Sequence, residues 1–359
     1  MSVSIGRLST MQFMQLNRDF IARTTVEMQK AGNEASTGRK SDIYGDLGPA
    51  AAAALTLRTR EADTQAYMVT NTLLEGKLQS QLDAVDSVRE QVTGVLQNVL
   101  ANASSPLAGA ETLQMQARNA LEITIAQLNV SFNGEALFGG TRTGAPPLTQ
   151  YADVNPDTGL SPESVISGIL TAPPGSIAEA EAMIAELDAV FASTATDTAT
   201  NFEATFYNGT PALDANGDPS HRISGRIEPG LELEYGVQAN DAPFRDILKG
   251  LAMLAAVDAS EIADPDTYVA WMDQIAETLG NGSQAALNMS AEIGFRQQTV
   301  ETAQKRLESL SMVQTTQISE LESVDPYEAA TRFATLDAQL RASYEITSQL
   351  TSLSLLNYL

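Results

Sequence analysis

Apolar residues recur at helical spacing over both ends of this chain and lose that spacing in the middle. In the first segment Met11, Met14, Ile21, Met28 and Ala35 fall on three- and four-residue steps, with Arg18 and Thr25 filling the gaps. That spacing predicts an amphipathic helix of about 25 residues carrying one heptad-like stripe. It ends at Ser36-Thr37-Gly38-Arg39-Lys40, where Gly38 can adopt the left-handed conformation that terminates a helix. A loop is expected through Tyr44 to Pro49, and then a helix from near Pro49 to about Asn102. Its later half reads Leu74, Leu78, Leu82, Val85, Val92, Leu96 and Val99, interrupted by Arg89. Such a helix is about 75 Å long, which implies a rod or bundle. Ser104-Ser105-Pro106 breaks it, and a third helix over Ala110–Val130 turns Leu113, Ala117, Leu121, Ile125 and Leu128 inward.

From Ser131 to about Ala242 the chain is rich in Gly, Pro, Asn, Asp and Thr. Asn-Gly pairs at 133, 208 and 216 favour tight hairpin turns. Leu231, Leu233, Tyr235 and Val237 alternate with polar residues and Gly236 as in a half-buried strand, and one helix is expected over Ile177–Phe191. Helical spacing returns over Phe244–Val257, Pro265–Leu279 and Ser283–Leu321, the last on Ile293, Val300, Ala303, Leu307, Leu310, Ile318 and Leu321. Asp325-Pro326-Tyr327-Glu328 reads as a capping box with Glu328 reaching back. The final helix carries Phe333, Leu336, Leu340, Tyr344, Leu350 and Leu353.

The expected fold is therefore mainly α: an elongated helical bundle or coiled coil formed by the N- and C-terminal segments together, with an inserted α+β domain. Residues 1–40 with 325–359 form a terminal assembly domain. Residues 41–145 with 243–324 form a long-helix bundle with a hairpin near 131–145, and 146–242 form a surface insert. Ordering a residue costs about 1–2 kcal/mol in backbone entropy alone. One apolar stripe on a thin helix cannot offset that without a partner. The two ends must pair with each other, with neighbouring molecules, or with both. Their stripe residues Met11, Met14, Ile21, Met28, Leu336, Leu340, Tyr344, Leu350, Leu353 and Leu356 are the expected assembly interface.

Composition narrows the chemistry. The 359 residues carry 21 Lys+Arg against 45 Asp+Glu, a formal net charge of −24, which disfavours nucleic acid and anionic lipid as partners. The absence of cysteine removes disulfides, thiolate nucleophiles and Cys-based zinc sites, and the single histidine, His221, cannot build a His-His metal cluster within one chain. Gly76-Lys77-Leu78 lacks the spacing of a phosphate loop. Asp214-Ala215-Asn216-Gly217-Asp218 departs from a calcium loop at Pro219 and Gly225. Glu232 and Glu234 share a strand face without an opposed acid. The expectation is no catalytic residue, no cofactor and no metal. The apolar runs Ala50–Leu55 and Leu251–Val257 are too short to span a bilayer, and the opening residues lack the apolar core of a signal peptide.

Several segments resemble the bacterial flagellin superfamily. Ser36–Lys40 is similar to the small-Gly-basic turn that closes the first helix of flagellins and hook-associated proteins. Phe132-Asn133-Gly134-Glu135-Ala136-Leu137-Phe138-Gly139-Gly140-Thr141 is similar to the hairpin after their third long helix. Tyr207-Asn208-Gly209 with Arg226-Ile227-Glu228-Pro229-Gly230 matches an inserted domain in outline. Glu328-Ala329-Ala330, Leu340-Arg341-Ala342-Ser343-Tyr344 and the ending Leu353 to Leu359 resemble the terminal helix of members at the hook–filament junction. The family's usual Ser-Asp-Asp-Pro is altered, because Ser41-Asp42 is separated from Pro49. The resemblance implies a structural flagellar subunit joining hook to filament by helical self-assembly, exported without a cleaved signal peptide to the extracellular flagellum. Its partners would be copies of itself, neighbouring hook-associated proteins, flagellin and a type III export chaperone. A filament-forming flagellin and a secreted coiled-coil adhesin are the alternative readings.

Overall fold

A computed structural model describes residues 10–104 and 111–356, with side chains described at 12, 13, 15–104 and 112–349. The chain packs as two units, residues 1–66 with 308–359 and residues 67–307.

The first unit contains α1 (Thr10–Thr37), α2 (Ile43–Leu47), the beginning of α3 (Ala51–Asn102), the end of α8 (Pro265–Glu322) and α9 (Pro326–Leu356). Helix α1 stops where expected, with Gly38 at φ +67° and its N–H donating to the Glu34 carbonyl at 2.8 Å. The segment expected to be an open loop instead forms α2, whose first turn is capped by Asp42 accepting from the Gly45 N–H at 3.0 Å. Helix α9 begins at Pro326 with the Asp325 carboxylate accepting from the Tyr327 N–H at 2.8 Å. Glu328 does not reach back as the capping box predicts; it turns forward to Arg332 at 3.4 Å.

In the second unit, α3 supplies Leu74, Leu78, Val85, Val92 and Val99 to the core, and α4 (Glu111–Leu128) supplies Leu113, Ala117, Leu121, Ile125 and Leu128. Helices α3 and α8 run antiparallel there, tied by Gln79 to Gln297 at 3.0 Å, Asp86 to Ser290 at 2.9 Å and the Asn102 carbonyl to the Tyr268 hydroxyl at 2.7 Å. Helix α7 (Ala242–Ala256) buries Phe244, Ile247, Leu248 and Leu251 to Ala255 in the core and keeps Arg245, Asp246 and Lys249 on a half-buried polar face.

Helix α8 corrects the expected break between Leu279 and Ser283, for it runs through Gly280-Asn281-Gly282 without interruption. The glycines serve packing here. A Cβ on Gly282 would lie 3.1 Å from the Ile247 backbone nitrogen and 3.2 Å from the Pro243 carbonyl, so the start of α7 rests directly on α8. Downstream, Leu310 departs from the predicted inward stripe. It is exposed, while Ser311 and Gln314 are buried in its place.

The irregular region of this unit holds two antiparallel hairpins. Strands β1 (Ser131–Phe132) and β2 (Glu135–Ala136) turn on Asn133 (φ +51°) and Gly134 (φ +82°), as Asn-Gly predicts. Strands β3 (Ser224–Glu228) and β4 (Leu231–Glu234) turn on Pro229-Gly230, with Gly230 at φ +83°. Asn216-Gly217 also turns, with Gly217 at φ +86°. Asn208-Gly209 forms no such hairpin. A Cβ on Gly209 would lie 2.3 Å from Cζ of the Tyr207 ring and 2.7 Å from the Gly139 carbonyl, so close packing selects glycine there.

Beyond the expected α6 (Ile177–Phe191), a second helix, α5 (Pro162–Ile169), is present, with Ser161 and Ser164 capping each other's backbone. Phe202 to Phe206 forms a π-turn, and its two phenylalanines lie within 5.5 Å of the Phe191 ring of α6. These rings join the same core as α4 and α7. The stretch 146–242 therefore shares its core with the bundle helices of this unit.

The close approach at Gly282 makes a specific expectation. Gly282→Val should destabilise the chain by about 3 kcal/mol through overpacking against backbone atoms. Gly280→Ala, with nothing within 4 Å of the new Cβ, should stabilise it by about 0.5–1 kcal/mol through helix propensity. Urea-denaturation midpoints of the two variants should move in opposite directions.

Candidate assembly surface

The terminal helices meet along an antiparallel seam. Asn17 donates to the Thr347 hydroxyl at 2.6 Å near one end, and Arg332 pairs with Glu34 at 3.1 Å near the other. Between these ties the α1 positions Ile21, Thr24, Met28 and Ala31 face the α9 positions Leu336, Leu340 and Ser343, as the ties' antiparallel register requires. Thr24, Ala31, Leu340 and Ser343 are buried, and Ile21, Met28 and Leu336 are half-buried. Close approach needs small residues: a Cβ on Gly32 would lie 3.3 Å from the Phe333 ring.

Below the seam, the α1–α2 turn is stitched to the joint between α8 and α9. The Val324 N–H donates to the Gly38 carbonyl at 3.0 Å and the Lys40 N–H to the Glu322 carbonyl at 2.8 Å. Two buried carboxylates flank this stitch. Glu322, only 1% exposed, takes a bidentate contact from Arg58 of α3 at 2.7 and 2.6 Å. That pairing raises the Arg58 guanidinium above its ordinary value, first through the hydrogen bond. Glu34 holds Arg332 and accepts from the Ser41 N–H at 3.2 Å. The unexpectedly buried groups of this unit are thus charged or polar.

Its outer surface also carries many apolar side chains. Among the described residues, thirteen of 23 exposed large hydrophobic side chains belong to this unit, which holds about a third of the chain, so the apolar exposure is concentrated there. Phe13, Leu16 and Phe20 lie at i, i+3 and i+7 on one face of α1, with Leu16 59% and Phe20 47% exposed. Tyr344 and Ile346 are exposed on α9, and Leu310, Met312 and Val313 on α8. Concentrated exposure of this kind makes the unit the candidate interaction surface.

Of the expected interface residues, Ile21, Met28, Leu336 and Leu340 are drawn into the seam within one chain. Tyr344 remains exposed at 53%. Met11, Met14, Leu350, Leu353 and Leu356 have side chains outside the described residues. The sequence reading missed Phe13, Leu16 and Phe20. Their spacing was available in the sequence but lies on the face next to the chosen stripe.

The other chemical candidates resolve into local structure. The Asp214 carboxylate accepts from the Asn216 and Asp218 N–H groups at 2.8 and 3.0 Å, which holds its pKa below the ordinary range. It is consumed by the turn. His221 is exposed just ahead of β3. Elsewhere in the second unit, Leu73, Phe132, Tyr235 and Arg226 line a groove of about 270 Å³, where Phe132 seats over the bare backbone of Gly76.

The family model of the bacterial flagellin N-terminal helical region matches residues 8–143, and that of the C-terminal helical region matches residues 277–359. Together they cover more than half of the chain. The chain belongs to the bacterial flagellin family. Its role is accordingly a structural one in the bacterial flagellum, and both regions that form the terminal pair fall inside the matched segments. The chain is similar to flagellar hook-associated protein 3 of Escherichia coli K12, 23% identical over 359 residues that span 97% of this chain and 98% of the relative. Its fold is similar to a solved structure assigned as a flagellar hook-associated protein of Vibrio parahaemolyticus. That match has a TM-score of 0.51 and 14% identity, and covers 77% of this chain and 99% of the other. Bacillus cereus FlgL, at a TM-score of 0.37 and 13% identity over 77% of this chain and 100% of the other, is too distant in fold to argue from.

The seam and the outer face of this flagellin-family chain should respond differently to the same change. Phe20→Asp places a charge on an exposed position and should shift monomer stability by no more than about 0.5 kcal/mol. Leu340→Asp buries an unpartnered carboxylate and should separate α1 from α9. Amide hydrogen exchange across residues 12–37 should be unchanged in the first variant and strongly accelerated in the second.

Proposed function

We propose that the chain is a hook-associated subunit that joins hook to filament, assembling side by side with copies of itself through α1 and α9. The supporting observation is the terminal unit's apolar exposure, with Phe13, Leu16, Phe20, Tyr344 and Ile346 outside while the Glu34 and Glu322 carboxylates are buried in ion pairs. A monomer gains nothing from that arrangement, whereas an assembled subunit buries the apolar face against neighbours at about 25 cal/mol per Å². The near full-length similarity to a hook-associated protein supports the junction role over a filament role. Under this reading the subunit leaves the cell through the flagellar type III export route without a cleaved signal peptide, escorted by an export chaperone that shields the apolar terminal helices. It folds at the tip of the growing structure, outside the cell, with hook-associated neighbours on one side and flagellin on the other.

Electron microscopy of the purified chain, alone and with flagellin, tests the proposal. The expected result is short rings or caps alone and nucleated filaments when flagellin is added; long filaments from this chain alone would favour a filament-forming flagellin. Deleting residues 1–35 or 325–359 should abolish incorporation into flagella while residues 67–307 keep their helical circular-dichroism signal. Normal incorporation of either deletion would show that the ends are dispensable.

A further inference from the structure

We infer that Glu34 is a positioning residue for assembly: through Arg332 it fixes the register in which α1 and α9 meet, and with it the face that neighbours contact, while Glu322, held by Arg58 of α3, anchors the joint from which α9 starts. The inference rests on the self-assembly reading above.

The apolar seam discriminates poorly between registers. Half of its positions are small or polar, among them Asn17, Thr24, Ala31, Ala329, Ser343 and Thr347. Sliding α9 by one heptad would set Met28 against Ser343 instead of Leu336, and Ala31 against Leu340. Those pairings bury similar groups, so area alone selects weakly. The carboxylate does discriminate. In the observed register Glu34 meets Arg332 at 3.1 Å. One heptad in either direction would place it opposite Gln339 or Asp325, neither of which can neutralise a buried carboxylate.

The same logic is repeated at the base of the pair. Glu322 receives Arg58 through its carboxylate and Lys40 N–H through its carbonyl, and Glu34 receives Arg332 and the Ser41 N–H. The Glu34 carboxylate thus joins α1 to α9 and to Ser41 of the turn, the Glu322 carboxylate joins α8 to α3, and the Glu322 carbonyl meets the neighbouring Lys40. Desolvating an ion pair costs about as much as the pairing returns, so such pairs add little stability; their attested use is to specify register. Exposed faces on α1 and α9 that must match a neighbour depend on register directly, because a one-heptad slip moves Tyr344 about 10 Å along α1.

The chain has no cysteine, so introduced pairs report register without background. In the full-length protein, Met28→Cys with Leu336→Cys reads the observed register, and Met28→Cys with Ser343→Cys reads the slipped one. Each pair is combined with the apolar replacements Glu34→Leu/Arg332→Leu and Glu322→Leu/Arg58→Leu. The expected result is a thermal midpoint equal to or above that of the parent, the appearance of the slipped disulfide, and incorporation into flagella reduced by about tenfold. Retention of one register with normal incorporation would overturn the inference. So would a fall in thermal midpoint that tracks the loss of incorporation, since the pairs would then be ordinary stabilising contacts. If the unmodified chain never reaches the hook–filament junction, the functional reading fails, and the disulfide yields of the purified protein still decide the register.

Discussion

Everything in the terminal unit follows from one constraint: a helix with a narrow apolar stripe cannot hold its own conformation in water, so α1 and α9 must hold each other. The chain delivers them from opposite ends of the sequence, and the stitch of Gly38 and Lys40 to Val324 and Glu322 brings them into antiparallel contact. The seam is then thin by necessity. Two helices can cover only one stripe each, and the remaining faces of α1 and α9 stay open. That openness is compatible with a flagellin-family subunit, whose ends have further neighbours to meet.

The second unit solves a different problem, which is how to keep a stretch rich in glycine and asparagine ordered. It spends side-chain amides on backbone groups. Asn129 brackets Leu148, donating to its carbonyl and accepting from its N–H, both at 2.8 Å. Asn155, nearly fully buried, donates to the Thr205 carbonyl and to Asn208 and accepts from the Asp157 N–H. Thr210 ties its N–H and hydroxyl to the Gly139–Thr141 turn. These bonds replace the ladders that a longer sheet would supply, and they satisfy buried backbone groups that would otherwise be costly.

Legibility in the sequence tracked the density of the apolar signal. The stripes of α3 and α4 are long and made mostly of large residues, and the structure buries most of them where periodicity placed them, with Leu82 and Leu96 half-buried. The bounds of α6 and the turns at Asn133-Gly134 and Asn216-Gly217 were readable because each has a local chemical cause. Continuity of α8 was not readable, since a glycine placed for contact with α7 looks the same in sequence as a glycine placed to end a helix. Helix α5 offers only eight residues, too few for a period to show. The α1 seam was only half visible, because Thr24 and Glu34 are buried there and neither registers as hydrophobic.

That last gap carries the functional meaning. In a protein built only to be a stable monomer, Phe13, Leu16 and Phe20 would face α9 while Thr24 and Glu34 would face water. In the observed arrangement Phe13, Leu16 and Phe20 stay exposed while Thr24 and Glu34 are buried beside Ala31 and Leu340. An arrangement that gives up intramolecular burial must recover it elsewhere or be lost to marginal stability. In the proposed assembly, burial between subunits would be that source, and directional buried groups would serve it. Apolar contacts are tolerant of sliding, whereas an interface repeated around a closed assembly accumulates any error in register from one copy to the next. Directional pairs inside and apolar surface outside therefore belong to one design, in which the seam sets geometry and the neighbours supply the burial.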